Sequence, residues 1–174
     1  MLLPSLTVLP VLLLTLQSQK LAPYAPTPPD VVDRMLALAA VSAGDVLIDL
    51  GCGDGRIAIR AARKFGVRAS GVDIDARRID ESRVNAKAAG VEHLTEFRVE
   101  DALTTDVSQA TVVTLFIGSE GNTKLRPVLQ RQLKPGARIV SHAFSMGPEW
   151  PPDKVDQFTS ANGDTVTLYL WTIK

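Results

Sequence analysis

The chain has 174 residues, a length typical of one ordinary domain with enough interior for a hydrophobic core. Its 19 basic residues balance 19 acidic ones, which excludes the large cationic field typical of nucleic-acid-binding proteins. Because Cys52 is the only cysteine, the sequence excludes an intrachain disulfide and a cysteine-based metal cluster, and we predict no metal site.

The first 20 residues form a leader, of which residues 2–16 are mostly apolar. This run is shorter than the roughly 20 residues that span a bilayer as a helix, and no positive charge precedes it, as one would in a secretory signal. Lys20 follows it, which favours the cytoplasmic side for the rest of the chain. We predict membrane association through residues 2–16 with a cytoplasmic domain behind it, and a cleaved signal peptide is the alternative.

Residues 21–29, LAPYAPTPP, carry four prolines and predict a stiff, extended segment. Thr27 or Asp30 is placed to cap a helix that runs to about Val41. The apolar stripe of this helix is expected to cover one face of a sheet. The folded domain is therefore expected to comprise residues 30–174.

The stretch 46–60, VLIDLGCGDGRIAIR, changes from a continuous apolar run to apolar residues at helical spacing. Between the two patterns lie Gly51, Gly53 and Gly55. Glycine adopts positive φ without strain and lets a ligand approach the backbone closely. The stretch therefore predicts a buried strand, a glycine turn and a helix, which together open a doubly wound parallel sheet.

Two details of the glycine turn distinguish between nucleotide classes. A nicotinamide-binding turn, G-x-G-x-x-G, would need a third glycine at position 56, which is Arg56. Asp49, two residues before the first glycine, would repel a pyrophosphate and attract a cation. The spacing D-x-G-x-G-x-G resembles the first motif of class I methyltransferases that use S-adenosylmethionine (SAM), a cationic nucleoside. A nicotinamide oxidoreductase is disfavoured, and a glycine turn without a ligand is the other alternative.

The next two predicted strands, residues 69–73 and 95–99, also have carboxylates at their carboxyl ends. Asp73 is the last residue of the first of these strands, and Asp101 lies just beyond the second. Asp73 lies 22 residues after Gly51, which is the spacing of the carboxylate that accepts ribose hydroxyls in nucleoside-binding sheets. Asp101, just beyond the third strand, is a candidate for the adenine amino group, with an exposed cap as the alternative. Between the two strands we predict a helix over residues 76–89, capped by Asp75.

Residues 111–117, TVVTLFI, are apolar and β-branched and predict a buried central strand. A loop over residues 118–122 and a helix over 125–133 are expected to follow. The methyl acceptor should lie at the end of this strand. The strand lacks the (Asp/Asn)-Pro-Pro-aromatic element of methyltransferases that act on adenine or glutamine amides, which counts against those acceptors.

A fifth strand is predicted over residues 137–142, and its last residue, His142, is an outside candidate for the cleft. Asn162-Gly163 lies between β-rich runs at 155–159 and 165–173, which predicts a hairpin. The expected fold class is α/β, with a doubly wound, mostly parallel seven-stranded sheet that ends in an antiparallel hairpin. A class I methyltransferase has such a hairpin and a dinucleotide-binding half-domain lacks it.

Taken together, residues 22–172 resemble the small broad-specificity protein-lysine methyltransferases of prokaryotes and the mitochondrial enzyme that methylates the ATP synthase c-subunit. The stretches that carry the resemblance are PYAPTPPDVV, VLIDLGCGDGRI, GVDID, VEDA, TVVTLF and LKPGARIVSHAF. It implies SAM-dependent methylation of lysine ε-amines in a protein partner. It also implies that the proline-rich segment borders the active site. An acceptor that is a small molecule or RNA, and a non-catalytic SAM-binding module, are the alternatives.

The predicted site combines strand ends, the glycine turn and the proline-rich segment. The predicted catalytic residues are Tyr24, Phe116 and Glu120. The predicted cofactor-binding residues are Thr27, Asp49, Gly51, Cys52, Gly53, Gly55, Asp73, Ile74, Glu100, Asp101, Ala102, Phe116 and Ile117. Among these, Asp49 is expected to hold the ammonium of SAM, Asp73 the ribose and Asp101 the adenine.

Overall fold

The computed structural model describes residues 23–174, so the predicted leader lies outside the described residues. Within that part of the chain, the strands are β1 (Val46–Leu50), β2 (Arg68–Asp73), β3 (Thr95–Val99), β4 (Val112–Leu115), β5 (Arg138–His142), β6 (Lys154–Thr159) and β7 (Thr165–Thr172). The helices are α1 (Pro29–Leu38), α2 (Arg56–Phe65), α3 (Ala76–Ala88) and α4 (Gly118–Gln132). Among these described helices, none is long and apolar enough to cross a membrane.

The strands form one sheet with the order β3-β2-β1-β4-β5-β7-β6. The first five strands in this order are parallel, and β7 runs antiparallel to both β5 and β6. The predicted α/β fold with a C-terminal antiparallel hairpin is therefore confirmed. The strand order reverses between β1 and β4, and ligands of open α/β sheets bind outside the carboxyl ends of the strands at such a point. The topology thus places a site where β1, β2 and β4 end.

Apolar side chains pack in two clusters, and consecutive residues of β1 belong to different ones. Leu47 packs with α1, α2 and α3, whereas Ile48 packs with α4 and Trp171. Because successive side chains of a strand point to opposite faces, the two clusters cover the two faces of the sheet. Full burial of a large apolar side chain contributes about 1.5–3 kcal/mol. The fully buried Met35 and Leu125 therefore hold α1 and α4 against the sheet.

The proline-rich segment leads into α1 without a side-chain cap, which corrects one prediction. Neither Thr27 nor Asp30 caps the helix. The Asp30 carboxylate instead accepts a hydrogen bond from a backbone N–H in the β6–β7 turn, at 2.7 Å. Pro29 begins the helix, where its fixed φ favours the first turn and its missing N–H needs no acceptor. The predicted cap of α3 is confirmed, since Asp75 accepts a hydrogen bond from the N–H of Arg77.

The helix after β4 begins at Gly118 rather than at Leu125. The prediction of a loop was wrong because glycine and asparagine have low helix propensity and tertiary packing overrides that preference here. Gly121 and Asn122 are buried, and a Cβ on Gly121 would lie 3.0 Å from Ile117 Cδ1. As a result, only two residues separate β4 from α4, and the helix starts directly beside the end of the strand.

Candidate functional site

A cleft opens at the carboxyl ends of β1 to β4 and has an empty volume of about 830 Å³, part of it open to solvent. Most of the predicted site residues line it: Tyr24, Thr27, Asp49, Gly51, Cys52, Gly53, Asp73, Ile74, Glu100, Asp101, Ala102, Phe116 and Ile117. Sequence reasoning missed several side chains that also line it: Asp54, Arg56, Ile57, Val72 and Arg78. Gly55 and Glu120, both predicted, are not among the lining residues.

Asp49 is a buried carboxylate at the end of β1, with an exposed fraction of 2%. Its Oδ1 accepts a hydrogen bond of 2.7 Å from the Thr114 hydroxyl of the neighbouring strand. Burial raises the pKa of Asp49 to about 7, and the nearby carboxylates of Asp73 and Asp54 add to this increase. A cation bound beside Asp49 would stabilise its ionised form, so this carboxylate is suited to a positively charged ligand.

The glycine turn adopts the conformation that its sequence predicts, with φ of +78° at Gly51 and +54° at Gly53. A Cβ at Gly51 would lie 2.5 Å from Ile117 Cγ2, and one at Gly53 would lie 2.7 Å from the Tyr24 ring. Glycine is therefore required both for the backbone conformation and for the close approach of the cleft walls. Gly55 lies deeper, as the N-cap of α2, where a Cβ would meet the side chain of Phe97 at 2.8 Å.

Asp73, at the end of β2, fixes the glycine turn. Its Oδ2 accepts a hydrogen bond from the Gly53 N–H at 3.0 Å, and its Oδ1 accepts one from the Asp75 N–H at 2.9 Å. Each carboxylate oxygen can accept a second hydrogen bond, so Asp73 keeps acceptor capacity for ligand hydroxyls.

Asp101 is similar, because its Oδ1 accepts a hydrogen bond from the Leu103 N–H at 2.9 Å. Both carboxylates thus shape the backbone as well as the cleft.

The proline-rich segment is held over the cleft by residues that the sequence analysis did not assign to the site. The guanidinium carbon of Arg78 lies 3.6 Å from the centroid of the Tyr24 ring. Arg56 donates a hydrogen bond of 2.9 Å to the Thr27 carbonyl oxygen and forms an ion pair with Asp54. Burial and the Asp54 carboxylate raise the pKa of the Tyr24 phenol, which stays protonated at neutral pH. In the sequence, the only sign that one of these residues belongs to the site was the position of Arg56 within the glycine motif.

Cys52 occupies the turn as a small buried residue. A Cβ on Gly71 would lie 2.6 Å from the Cβ of Cys52, so the thiol packs tightly against β2. Burial raises the pKa of this thiol well above its ordinary value, and thiol nucleophilicity requires the thiolate. Cys52 therefore has a packing role rather than the role of a nucleophile.

Phe116 and Ile117 form the wall of the cleft at the end of β4. The Phe116 ring stacks on the imidazole of His142, with centroids 4.0 Å apart and planes at 29°. His142 Nδ1 lies 3.4 Å from the Thr27 hydroxyl oxygen. Burial lowers the pKa of His142, so its imidazole is neutral at pH 7. His142, the outside candidate of the sequence analysis, thus supports two residues that line the cleft.

Glu120 lies on the exposed surface of α4, with 79% of its side chain accessible. Its Oε1 lies 2.6 Å from Lys124 Nζ, and this ion pair lowers the pKa of the carboxyl group. A carboxylate in that state is a weak base. Its position therefore gives the predicted catalytic role no support. The cause is the early start of α4, which turns residue 120 onto a helix surface.

Residues 49–154 match the ANTKMT methyltransferase domain family. This region is more than half of the chain and contains the glycine turn, Asp73, Asp101 and Phe116. The chain belongs to this methyltransferase family. The resemblance predicted from the motifs is thereby confirmed, while the proline-rich segment lies outside the region that matches.

Curated relatives of the family extend the match to most of the chain. A protein-lysine N-methyltransferase from Saccharolobus islandicus is 44% identical over 152 residues, which are 87% of this chain and 93% of that protein. The lysine N-methyltransferase of the ATP synthase c-subunit from Homo sapiens is 31% identical over 147 residues, 84% of this chain. The chain spans 60% of the length of that human methyltransferase.

A solved methyltransferase structure has the same fold. The crystal structure of a protein described as an RNA methyltransferase from Salinibacter ruber, in complex with S-adenosyl-L-homocysteine, matches with a TM-score of 0.80 and 52% identity. The match covers 86% of this chain and 94% of the Salinibacter chain. Similar proteins are thus described with different methyl acceptors.

Proposed function

We propose that the protein is a SAM-dependent protein-lysine N-methyltransferase. The observation that carries the proposal is Asp49, a fully buried carboxylate beside the glycine turn, for which residues 23–174 provide no ion-pair partner. A buried carboxylate is stabilised in its charged form when a cation binds beside it. The protein-lysine methyltransferase of Saccharolobus islandicus, at 44% identity, supports both the reaction and the acceptor.

The residues of the cleft fit the chemical groups of SAM. Asp49 would hold the ammonium, Asp73 the ribose hydroxyls and Asp101 the adenine amino group. The glycine turn leaves room for a ligand to approach the backbone. When bound, SAM supplies a methyl carbon that leaves its sulfonium sulfur with the bonding pair retained on sulfur, while an amine lone pair forms the new N–C bond.

The acceptor amine must be uncharged before it can react. A lysine in water has a pKa of about 10.4, and transfer into a cleft with apolar walls lowers that pKa because burial disfavours the charged form. Phe116 and Ile117 provide such a wall, and the proton leaves to solvent as the amine enters. The chain therefore needs to align the amine and exclude water, and no described residue has to act as a base.

RNA is the second candidate acceptor, and the Salinibacter ruber structure favours it. The balance of 19 basic and 19 acidic residues counts against it, because RNA binding depends on cationic surface. Incubation of the purified protein with radiolabelled SAM and a cell lysate tests both. Protease and ribonuclease digestion of separate aliquots, followed by acid hydrolysis of the protein, identifies the labelled residue.

We expect the label to be sensitive to protease, to resist ribonuclease and to be recovered as methyl-lysine. Asp73→Ala is the control for enzyme-dependent labelling, since it should reduce every product in parallel. Label that is removed by ribonuclease, or that is found only in small metabolites, would overturn the lysine proposal. No label in any fraction, with no SAM binding by calorimetry, would overturn the methyltransferase activity itself.

We also propose that residues 2–16 associate the protein with the cytoplasmic face of a membrane. The support is their mostly apolar composition and the positive charge of Lys20 behind them. Fractionation of cells that produce the full chain, beside a variant without residues 2–16, measures the effect. We expect only the full chain in the membrane pool. A mature product outside the cell that begins after residue 16 would instead establish a cleaved signal peptide.

A further inference from the structure

A γ-turn at the end of β5 places a non-glycine residue in the left-handed region. The Phe144 N–H donates a hydrogen bond of 2.9 Å to the His142 carbonyl oxygen, and Ala143 between them has a φ of +65°. A γ-turn with positive φ is rare and strained. Such strain persists only where the surrounding structure holds it, and it is concentrated at functional sites.

The turn is held from two sides. The Asn122 side-chain amide, fully buried in α4, donates hydrogen bonds to the Phe144 carbonyl oxygen at 2.9 Å and to the Ser141 hydroxyl at 2.8 Å. The Ala143 N–H donates one to the Thr167 carbonyl oxygen of β7, at 2.8 Å. Both contacts come from elements on which the turn rests, so they fix the turn relative to the sheet.

The turn presents two aromatic side chains to one residue of the cleft. His142 stacks on the Phe116 ring with centroids 4.0 Å apart, and Phe144 stacks on it with centroids 6.0 Å apart and planes at 22°. Phe116 lines the cleft, as does Thr27, whose hydroxyl lies 3.4 Å from His142 Nδ1. The orientation of both lining residues therefore depends on a single turn.

We propose that the turn 142–144 positions Phe116 for the methyl acceptor, and that His142 is a positioning residue that acts by stacking rather than as a base. This inference deepens the proposed lysine methyltransferase function and rests on it. Phe116 then offers a flat apolar ring against which the alkyl chain of the incoming lysine packs, so that the uncharged amine is aligned. An uncharged neighbour suits this role, since a cation behind the ring would repel the sulfonium.

Ala143→Val and Ala40→Val form a matched pair of variants. Ala40 is also exposed and has a φ of +49°, but it follows α1, away from the cleft. A β-branched residue is strongly disfavoured at positive φ, so both substitutions add strain. We expect both to lower the Tm, and only Ala143→Val to lower kcat, by about fivefold or more, with the Kd for SAM within about twofold of wild type. Equal kcat values for the two variants would overturn the proposal.

Substitution of His142 distinguishes stacking from proton transfer. We expect His142→Ala to lower kcat by about tenfold or more, whereas His142→Phe, which keeps a flat ring on Phe116, retains at least about a third of kcat and the pH profile of wild type. Thermal unfolding confirms that both variants are folded at the assay temperature. A loss in His142→Phe as large as in His142→Ala would overturn the stacking role.

Proton NMR of the imidazoles tests the geometry without any acceptor. The chain has two histidines, and His93 is exposed. We expect the His142 ring protons to be shifted upfield by the Phe116 ring current, and the shift to shrink in Ala143→Val but not in Ala40→Val. An unshifted His142 would overturn the inference. If wild type methylates only RNA, the proposed lysine function fails. The NMR shift, and the ratio of variant to wild-type kcat measured with RNA as the acceptor, then still decide the role of the turn.

Discussion

At the scale of single residues, Asp49 differs from the paired carboxylates of the surface. Asp33 and Asp156, outside the cleft, are paired with Arg60 and Arg34 respectively, and these pairs lower the pKa of both carboxyl groups. Asp49 has only the Thr114 hydroxyl as its described hydrogen-bond donor. An acidic group held in this way is destabilised until a cation binds, and this makes Asp49 the most informative position to change.

Asp49→Asn is expected to abolish detectable SAM binding and to stabilise the ligand-free protein. The neutral amide keeps the size of the side chain and removes a buried charge, so the free energy of unfolding at pH 8 should rise by about 2–4 kcal/mol. Urea denaturation measures the stability and calorimetry measures the affinity. Loss of stability together with intact SAM binding would contradict this assignment.

Asp73→Ala tests the second carboxylate. It should weaken SAM binding by about 1.5–3 kcal/mol, the contribution of hydrogen bonds to a charged group. Titration calorimetry gives the change in Kd, and Asp106→Ala, an exposed carboxylate outside the cleft lining, is the control. An affinity equal to that of wild type would remove Asp73 from the ligand site.

At the scale of elements, the proline-rich segment is the part of the cleft that depends most on side-chain contacts. Arg56→Ala removes the hydrogen bond to the Thr27 carbonyl and the ion pair with Asp54. We expect faster amide hydrogen exchange at Tyr24, Ala25 and Thr27, and weaker SAM binding. Arg60→Ala, on the same helix but paired with Asp33, should leave both unchanged. Equal exchange in the two variants would show that Arg56 does not hold the segment.

The elements also show how far sequence reasoning extends. The strands were predicted to within two residues of their observed bounds and the glycine turn was predicted correctly, because their signals are local: apolar runs, glycines and carboxylates at fixed spacing. The start of α4 was missed because Gly121 and Asn122 are helical only through burial against neighbouring elements. Arg56 and Arg78 were missed as cleft residues because their contacts with the proline-rich segment are long-range. The place of Arg56 within the glycine motif was the one local signal.

At the scale of the whole molecule, Asp49 makes folding stability depend on pH. Its pKa is raised to about 7 from an ordinary value of 3.8, so the folded state binds a proton that the unfolded state has already released. The stability that this group contributes is fully present below about pH 4 and is lost as the pH rises through about 7. The buried His142, with a lowered pKa, acts in the opposite direction and costs stability as the pH falls below 6.5.

The difference in unfolding free energy between Asp49→Asn and wild type isolates the contribution of Asp49 to the pH dependence of stability. We expect it to grow from its smallest value near about pH 4 to a plateau above about pH 7, because only wild type acquires the buried charge. Denaturation of both proteins across that range gives the curve. A difference that does not change with pH would mean that Asp49 has the same pKa in the folded and unfolded states.

The walls of the cleft come from two parts of the chain that are separate in sequence. The sheet ends, the glycine turn and the carboxylates lie within residues 49–154, whereas Tyr24 and Thr27 come from the stretch that precedes α1. Exchange of that short stretch between relatives would alter one wall of the cleft and leave the carboxylates of the sheet in place. A fragment that begins at the first helix would lack this wall altogether. Substitutions ahead of the first helix therefore change one wall of the cleft without altering the sheet that forms the rest of it.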